Sequence, residues 1–155
     1  MISLVAAYDE NRTIGCRGKI PWRIPSERDR FKKITAGKRI IMGRKSFSEI
    51  GHALPYCTLV VVSKSLDSVP DGCILARSIG EAAALCGNDV IVAGGEEIYR
   101  QTISSADVLH ITEILARFSG DTFFPEFGRN SFVRTEGPVI QAEIPYRYVT
   151  FTRIK

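Results

Sequence analysis

Short apolar runs recur along the chain, and polar segments separate them. The first run, Ile2–Tyr8, is almost continuously apolar and rich in strand formers, which is typical of a strand buried on both faces. Runs of the same kind predict further strands at 39–42, 59–63, 73–77, 90–93, 109–112, 132–134 and 146–152. The last run alternates apolar and polar residues, which favours an antiparallel strand at the end of the chain.

Helical patterns fill most of the intervals between these runs, at about 26–36, 44–50, 79–85 and 96–101. Alternating strands and helices predict a mostly parallel sheet with helices on both faces, closed by an antiparallel ending. Such sheets bind ligands beyond the carboxyl ends of their strands. The residues expected at those ends are Ala7, Gly43, Ser63, Gly94 and Thr112. The pattern therefore favours a nucleotide-type ligand, although no G-x-G-x-x-G fingerprint is present.

The segment 20–31 carries an unusual carboxylate. Two prolines bracket the only tryptophan, Trp22, and make this loop stiff before a helix begins. Ser26 is predicted to cap that helix, with Asp29 completing a capping-box pattern. Glu27 falls on the same helical face as Phe31. The residues alone leave two interpretations open, a buried functional acid or a first-turn acid that faces water.

Two glycine-containing segments precede predicted helices. Gly43 is followed by two cations and a hydroxyl, a combination that suits an anion at a helix N-terminus. Gly94-Gly95 directly follows a strand and allows a ligand close to the backbone. A third segment, 14–20, contains two further glycines and is either a mobile lid or an ordinary surface connection.

Composition limits the possible classes of protein. The chain has 155 residues, with 45% hydrophobic and 25% charged, which suits one globular domain over 1–155. The net charge of +4 is too small and too dispersed for a nucleic-acid surface. The four cysteines lack metal-type spacing, so we expect reduced thiols, no metal site and a cytoplasmic protein. We also expect no signal peptide, no membrane segment and a monomer.

Taken in order, these segments resemble dihydrofolate reductase from residue 2 to residue 155. The resemblance is carried by Ala6-Ala7, Ile14-Gly15, Pro21-Trp22, Ile24-Pro25, Glu27 with Phe31, Met42-Gly43-Arg44, Gly51 with Leu54-Pro55, Gly94-Gly95 with Tyr99, Thr112, and Gly120-Asp121 leading to Phe124-Pro125. It implies a single α/β domain with an eight-stranded sheet and about four helices. It also implies NADPH as the hydride donor and a dihydropterin as the small-molecule substrate.

The resemblance implies specific roles for residues of this chain. The implied catalytic group is Glu27, Trp22 and Thr112. Glu27 binds the pterin, Thr112 orients the Glu27 carboxylate by a hydrogen bond, and Trp22 holds a water that reaches the same carboxylate. The implied substrate-binding residues are Val5, Ala6, Glu27, Arg28, Phe31, Lys32, Ile50, His52, Leu54 and Thr112. Asp121 is expected to latch the lid formed by 14–20, and Gly94-Gly95 to form a cis peptide.

The implied cofactor-binding residues fall into three groups. The strand end and the lid contribute Ala7, Ile14, Gly15, Gly18, Lys19 and Ile20. The phosphate-binding group is Gly43, Arg44, Lys45, Ser46, Ser63, Lys64 and Arg77. The paired glycines and the following helix contribute Ala93, Gly94, Gly95, Glu96, Glu97, Ile98 and Tyr99. Glu96 stands where the family often has a third glycine, and we expect it to point away from the pyrophosphate.

One departure from the family pattern concerns the substrate tail. The family arginine that pairs with the folate tail carboxylate falls at Cys57, and a thiol cannot replace a bidentate guanidinium. Arg28 and Lys32 could supply the missing charge, in which case the substrate is dihydrofolate. Alternatively, the substrate is a tail-modified dihydropterin such as dihydromethanopterin. A non-catalytic pterin- or nucleotide-binding protein and a reductase of a riboflavin precursor are the remaining hypotheses.

Overall fold

A computed structural model describes every residue from Met1 to Lys155. The strands are β1 Ile2–Tyr8, β2 Thr13–Gly15, β3 Arg39–Gly43, β4 Thr58–Val62, β5 Ile74–Ala76, β6 Val90–Val92, β7 Val108–Ile114, β8 Thr122–Phe123, β9 Phe132–Glu136 and β10 Tyr146–Arg153. The helices are α1 Pro25–Thr35, α2 Arg44–Ile50, α3 Ile79–Cys86 and α4 Glu96–Thr102. None of them is long and apolar enough to cross a membrane.

Eight strands form one sheet in the order β5-β4-β3-β6-β1-β7-β10-β9. All pairs from β5 to β7 are parallel, and β10 runs antiparallel to both β7 and β9. The predicted architecture, with its antiparallel ending, is therefore confirmed. The segment 14–20 is not wholly a loop, because β2 pairs with β8 in a separate two-stranded sheet.

Apolar clusters cover the two faces of the main sheet. The larger cluster includes Leu4 and Ile41, and it packs beneath α3 and α4. The smaller one includes Ile40 and Met42, and it packs beneath α1 and α2. Since successive strand residues point to opposite faces, β3 contributes to both clusters. Full burial of such side chains stabilises the fold by about 1.5–3 kcal/mol each.

The helix caps differ in part from the prediction. The predicted Ser26 cap is wrong, because α1 begins at Pro25 and its N-cap residue is Ile24, without a side-chain cap. Proline suits the first helical position, where its missing N–H would have no partner anyway. Ser26 instead forms a hydrogen bond with the hydroxyl of Tyr146. Helix α3 does have a side-chain cap, because the Glu81 N–H donates to the hydroxyl of Ser78 at 3.0 Å.

Candidate active site

The parallel strands present several of the predicted residues at one edge of the sheet. Ala7 and Thr112 lie opposite each other near the carboxyl ends of β1 and β7. Gly43 ends β3, and its N–H donates to the carbonyl of Gly94, two residues beyond β6. The helices α1, α2 and α4 begin near this edge. The predicted site is therefore assembled from distant parts of the chain at the position that the parallel topology favours.

Glu27 occupies the first turn of α1 and is joined to β7. The Thr112 hydroxyl, which is buried, donates a hydrogen bond to its Oε1 at 2.7 Å, as predicted. Burial raises the pKa of Glu27, whereas the Thr112 bond and the positive charge of Arg30 act in the opposite direction. Glu27 is thus a partly desolvated carboxylate with a fixed orientation, rather than a first-turn acid in water.

Arg30 lies beside this carboxylate, and the sequence analysis did not single it out. Its guanidinium carbon lies 3.9 Å from the ring centroid of Tyr148 on β10, a cation–π distance. Tyr148 is itself paired with Thr112 across the sheet. The i, i+3 spacing of Glu27 and Arg30 was available in the sequence, but the contact with Tyr148 depends on the packing of α1 against β10.

Trp22 fixes the loop that leads into α1. It is 9% exposed and forms a small cluster with Ile114 and Tyr146. Its ring centroid lies 5.5 Å from that of Phe118. The tryptophan therefore anchors the chain just before Glu27, and its predicted role in bracketing a water remains a prediction.

The predicted substrate-binding residues divide into an apolar and a charged group. Val5, Phe31, Ile50 and Leu54 are partly buried, and all four pack against the smaller core cluster. Arg28, Lys32 and His52 are exposed. Ala6 belongs to the larger cluster on the opposite face, so only its backbone could contact a substrate beside Val5.

Cys57 does not supply the positive charge of the expected arginine. It is 9% exposed and belongs to the smaller core cluster, where burial raises the pKa of its thiol. A cationic candidate lies on α1, where the Lys32 ammonium is 5.8 Å from the ring centroid of Tyr56. The wall near Cys57 is therefore aromatic and aliphatic, with its charges supplied by the exposed face of α1.

The predicted phosphate-binding residues are only partly available for a ligand. Arg44, Lys45 and Lys64 are exposed, and none of them has a salt bridge within 4.0 Å. The Ser63 hydroxyl accepts hydrogen bonds from the N–H groups of Ser65 and Leu66. Arg77 is exposed and donates one terminal nitrogen to the carbonyls of Ser63 and Leu66, which fixes its guanidinium while its other two nitrogens make no hydrogen bond.

The paired glycines lie against α2. The Gly94-Gly95 peptide is cis, as expected from the resemblance. A side chain at Gly95 would bring its Cβ within 2.7 Å of the Ser46 hydroxyl, so only glycine leaves this space open. Glu96 pairs with Arg100 of its own helix at 3.3 Å, a contact that was not predicted and that neutralises its charge.

Two residues of α4 are placed in the core rather than at a surface. Ile98 is 7% and Tyr99 4% exposed. The Tyr99 hydroxyl donates to the Val5 carbonyl at 2.6 Å, and the ring packs 4.9 Å from that of Phe124, centroid to centroid. Tyr99 thus connects α4 to β1. The side chains of Ile98 and Tyr99 serve first to pack the core, and any contact with a cofactor is secondary. Ala93 is half-buried and Glu97 exposed.

The lid segment is attached at both of its ends. Near its start, the Arg17 N–H donates to the Asp121 carboxylate at 3.0 Å, which is the predicted latch. Gly18 takes a left-handed conformation in the tight turn between Cys16 and Lys19. At its end, the N–H of Ile20 donates to Glu49 of α2 at 3.0 Å. Glu49 was not predicted, because nothing local to α2 indicates this contact.

Ile14 and Gly15 lie in β2, so they connect the lid to the folded body. Gly15 contacts the Thr122 side chain of β8 closely enough to exclude a Cβ. Ile20 is 54% exposed, which leaves its side chain free to contact a ligand at the sheet edge. The whole arrangement is that of an α/β protein with a ligand site at the carboxyl edge of its sheet, beneath a latched segment.

Comparison with known proteins agrees with this architecture. The family model described as dihydrofolate reductase matches residues 1–153. The dihydrofolate reductase of Bacillus subtilis strain 168 is 38% identical over 152 residues, which are 96% of this chain and 90% of the relative. The dihydrofolate reductase type A13 of Escherichia coli is 34% identical over 155 residues, which are 98% of this chain and 94% of the relative.

A solved structure extends the likeness to three dimensions. The dihydrofolate reductase from Enterococcus faecalis, complexed with NADP(H) and RAB-propyl, has a TM-score of 0.89 to this chain at 29% sequence identity. The match covers 100% of this chain and 97% of that protein. This chain belongs to the dihydrofolate reductase family.

Proposed function

We propose that this chain catalyses the NADPH-dependent reduction of dihydrofolate to tetrahydrofolate. The observation that carries the proposal is the Glu27 carboxylate, held by Thr112 at 2.7 Å at the ligand edge of the sheet. The reaction saturates one carbon–nitrogen double bond, so a hydride goes to the carbon and a proton to the nitrogen, leaving NADP⁺. The enzyme class is an NADPH-dependent oxidoreductase.

The residues at the sheet edge fit NADPH. Three exposed cations without salt-bridge partners, Arg44, Lys45 and Lys64, suit its phosphate groups. Gly95 leaves a space that a Cβ would fill, and Glu96 is neutralised by Arg100. When bound, NADPH supplies the hydride. The Ser63 hydroxyl would support the phosphate site through the backbone bonds it accepts, and Arg77 would add positive charge through its two nitrogens that make no hydrogen bond.

Glu27 is proposed to bind and polarise the pterin ring. A carboxylate accepts two hydrogen bonds side by side, which suits the adjacent N–H groups of an aminopyrimidine edge. Its negative charge, in a partly desolvated site, stabilises the positive charge that develops when the ring nitrogen takes a proton. Thr112 restricts the carboxylate to one orientation, and Trp22 fixes the loop that precedes it.

The latched segment is proposed to exclude water from the reacting atoms. Arg17 is held by Asp121 on one side, and Ile20 is held by Glu49 on the other. Ile20 carries an exposed apolar side chain between these attachments. Closing an apolar side chain over the site strengthens the electrostatic effect of Glu27, because fewer waters screen it.

Arg28 and Lys32 are proposed to read the carboxylate of the substrate tail. They lie four residues apart on α1, so both project from one helical face. Both are exposed, and Lys32 lies over the Tyr56 ring beside the buried Cys57. The positive charge that the family places after Leu54-Pro55 is thus supplied here from the facing helix.

The test compares NADPH consumption with dihydrofolate and with dihydrobiopterin, which shares the dihydropterin ring and carries no carboxylate. We expect the wild type to prefer dihydrofolate. A variant with both Arg28→Gln and Lys32→Gln should raise the KM for dihydrofolate about tenfold and leave that for dihydrobiopterin unchanged. Lys33→Gln, an exposed neighbour on another face of α1, is the matched control.

Two outcomes would redirect the proposal. Equal effects of the double variant on both substrates would show that α1 does not read the tail. Good turnover of a tail-modified dihydropterin with poor turnover of dihydrofolate would favour the second candidate, a dihydropterin reductase for another tail, which the burial of Cys57 supports. A protein that binds both compounds and consumes no NADPH would contradict an enzymatic function.

We further propose that the protein acts as a monomer in the cytoplasm. All four cysteines are free thiols, which suits a reducing compartment. The exposed large hydrophobic side chains lie far apart in the sequence, at Met1, Ile20, Phe123, Val133, Val139 and Ile154. Light scattering coupled to gel filtration should give a mass near 17.2 kDa, and a mass twice as large would contradict the monomer.

A further inference from the structure

A guanidinium group lies near the Glu27 carboxylate without pairing with it. Arg30 follows Glu27 by three residues on α1, a spacing at which opposite charges are neighbours on a helix surface and pair readily. The two side chains nevertheless form no salt bridge within 4.0 Å, and Arg30 makes no hydrogen bond. The charge of Arg30 still lowers the pKa of Glu27, so the two groups are close enough to interact.

The aromatic ring of Tyr148 holds this guanidinium instead. The guanidinium carbon of Arg30 lies 3.9 Å from the ring centroid of Tyr148, a close cation–π contact. Tyr148 is supported in turn by Tyr146, whose ring centroid lies 5.7 Å from its own. The hydroxyl of Tyr146 is hydrogen-bonded to Ser26 in the first turn of α1. Strand β10 therefore presents a fixed aromatic surface to the second turn of α1, where Arg30 lies.

The position of Arg30 leaves the Glu27 carboxylate available to a ligand. Its Oε1 accepts the hydrogen bond from Thr112, and its Oε2 accepts none. Two adjacent N–H groups of a ring bind a carboxylate through both of its oxygens. A guanidinium binds a carboxylate in the same side-by-side manner, so Arg30 paired with Glu27 would compete directly with the substrate ring.

The titratable groups that face Arg30 from the sheet are uncharged near neutral pH. His110 lies on the same face of β7 as Thr112. Burial and the charge of Arg30 lower the pKa of His110, so its imidazole is neutral. Burial raises the pKa of Tyr148, so its phenol keeps its proton. The contact that positions Arg30 is therefore its stacking on the Tyr148 ring, since neither group attracts or repels it as an ion.

We propose that Tyr148 is a positioning residue, which holds Arg30 away from Glu27 and so keeps the carboxylate free for the substrate ring. The inference rests on the proposed function, because it takes Glu27 as the group that binds that ring. Without the aromatic ring, Arg30 has Glu27 within reach on its own helix and closes the site by pairing with it. The apparent affinity for substrate then falls in proportion to the fraction of molecules that stay open.

The first experiment compares Tyr148→Leu with Tyr148→Phe. Leucine removes the aromatic ring, whereas phenylalanine keeps the ring and loses only the hydroxyl. Tyr148→Leu should raise the KM for dihydrofolate about tenfold with little change in kcat, because pairing of Arg30 competes with binding and not with a later step. Tyr148→Phe should stay within about twofold of the wild type. Equal effects of the two substitutions would overturn the proposal, since the ring would then have no role of its own.

The second experiment removes the guanidinium as well. Tyr148→Leu combined with Arg30→Met lacks the competing group, so its KM should return to within about twofold of that of Arg30→Met alone. Tyr148→Leu combined with Arg23→Met is the matched control, because Arg23 is an exposed arginine in the loop before α1, and its KM should stay raised. A KM that Arg30→Met does not restore would overturn the proposal and assign the effect of Tyr148 to packing.

Titration of the Glu27 carboxyl gives a measurement that needs no turnover. In Tyr148→Leu, the carbon chemical shift of the labelled carboxyl should report a lower pKa than in the wild type, because the guanidinium moves onto the carboxylate. The double variant should titrate as Arg30→Met does. A wild type that consumes no NADPH with dihydrofolate would contradict the proposed function, whereas an unchanged Glu27 titration in Tyr148→Leu would overturn this inference.

Discussion

The Glu27 carboxylate lowers the stability of the folded protein because its position in the site is partly desolvated. Burial raises its pKa in the folded state. The ionised carboxylate therefore destabilises the folded protein relative to the unfolded one, whereas the protonated carboxyl does not. Glu27→Gln should therefore raise the free energy of unfolding near neutral pH by about 1 kcal/mol. The gain should vanish as the pH falls below about 4, where the Glu27 carboxyl is protonated in both the folded and the unfolded protein.

Urea unfolding at several pH values measures this difference. Glu143→Gln is the control, since Glu143 is exposed in the segment before β10 and makes no hydrogen bond. A Glu27→Gln protein that is less stable than the wild type at neutral pH would show that the carboxylate contributes more through its partners than it loses by burial.

Arg30 is expected to lower the pKa of Glu27, against the larger effect of burial. Its positive charge lowers the pKa of the neighbouring carboxyl, so Arg30→Met should raise that pKa further. Arg30→Lys keeps the charge and should restore most of the wild-type value. Carbon chemical shifts of the labelled glutamate carboxyl, followed over pH, provide the measurement, with the exposed Arg23→Met as the control. An unchanged titration of the Glu27 carboxyl in Arg30→Met would show that Arg30 does not influence its pKa.

Among the elements, the β2–β8 sheet requires glycine at position 120 as well as at position 15. A Cβ at Gly120 would lie 2.1 Å from a Thr13 methyl carbon and 2.7 Å from the Gly15 carbonyl oxygen. Gly120→Ala should therefore separate β2 from β8 and destabilise the protein by about 1–3 kcal/mol. Amide exchange at Arg17, whose N–H is held by Asp121, should become faster.

Gly80→Ala is the matched control for this change. A Cβ there meets nothing nearer than the Ser78 hydroxyl at 3.9 Å, within α3. That substitution should be neutral or stabilise the helix by about 0.5–1 kcal/mol. If Gly120→Ala left the exchange at Arg17 unchanged, the lid would not depend on the β2–β8 pairing.

Strands β7, β9 and β10 are joined by a charged network around Glu113. Arg134 binds its two oxygens at 2.7 and 2.8 Å, and Arg147 binds one at 2.8 Å. Burial raises the pKa of Glu113, but these hydrogen bonds outweigh it and hold the pKa below its usual range. The resulting stability is present above the unfolded pKa near 4.3 and is lost as the pH falls through the folded value.

Glu113→Gln should therefore lower the free energy of unfolding by about 1–2 kcal/mol at neutral pH and by much less in acid. The difference between variant and wild type, followed by denaturant unfolding from neutral to acid pH, checks the sign. Glu97→Gln, in an exposed pair with Arg100, should change stability by less than about 0.5 kcal/mol. A pH-independent loss would point to packing rather than to charge.

At the scale of the whole molecule, the sequence predicts the main sheet because its strands are nearly continuous apolar runs, which are buried on both faces of a parallel sheet. Their predicted ends fall within about two residues of the observed ones. The β2–β8 pair was missed because neither strand is an apolar run and the two are distant in the sequence. The Ser26 cap was wrong because Pro25 already starts the helix.

The candidate site was predictable where one residue type carries the chemistry, as Glu27 and Thr112 do. Arg30, Tyr148 and Glu49 were not found, because their roles depend on which surfaces α1, β10 and the lid bring together. Ala6 and Ile98 were assigned to binding from the resemblance, whereas strand and helix periodicity place their side chains in the core. The role of such residues therefore depends on their position in the folded protein, which the sequence pattern alone does not give.

The most direct test of the account is NADPH consumption by the purified protein with dihydrofolate, measured for the wild type and for Glu27→Gln at neutral pH. The account predicts one NADPH oxidised per dihydrofolate by the wild type, and a loss of at least about 100-fold in kcat/KM for the folded variant. A wild type that leaves NADPH unchanged, or a Glu27→Gln protein as active as the wild type, would contradict it.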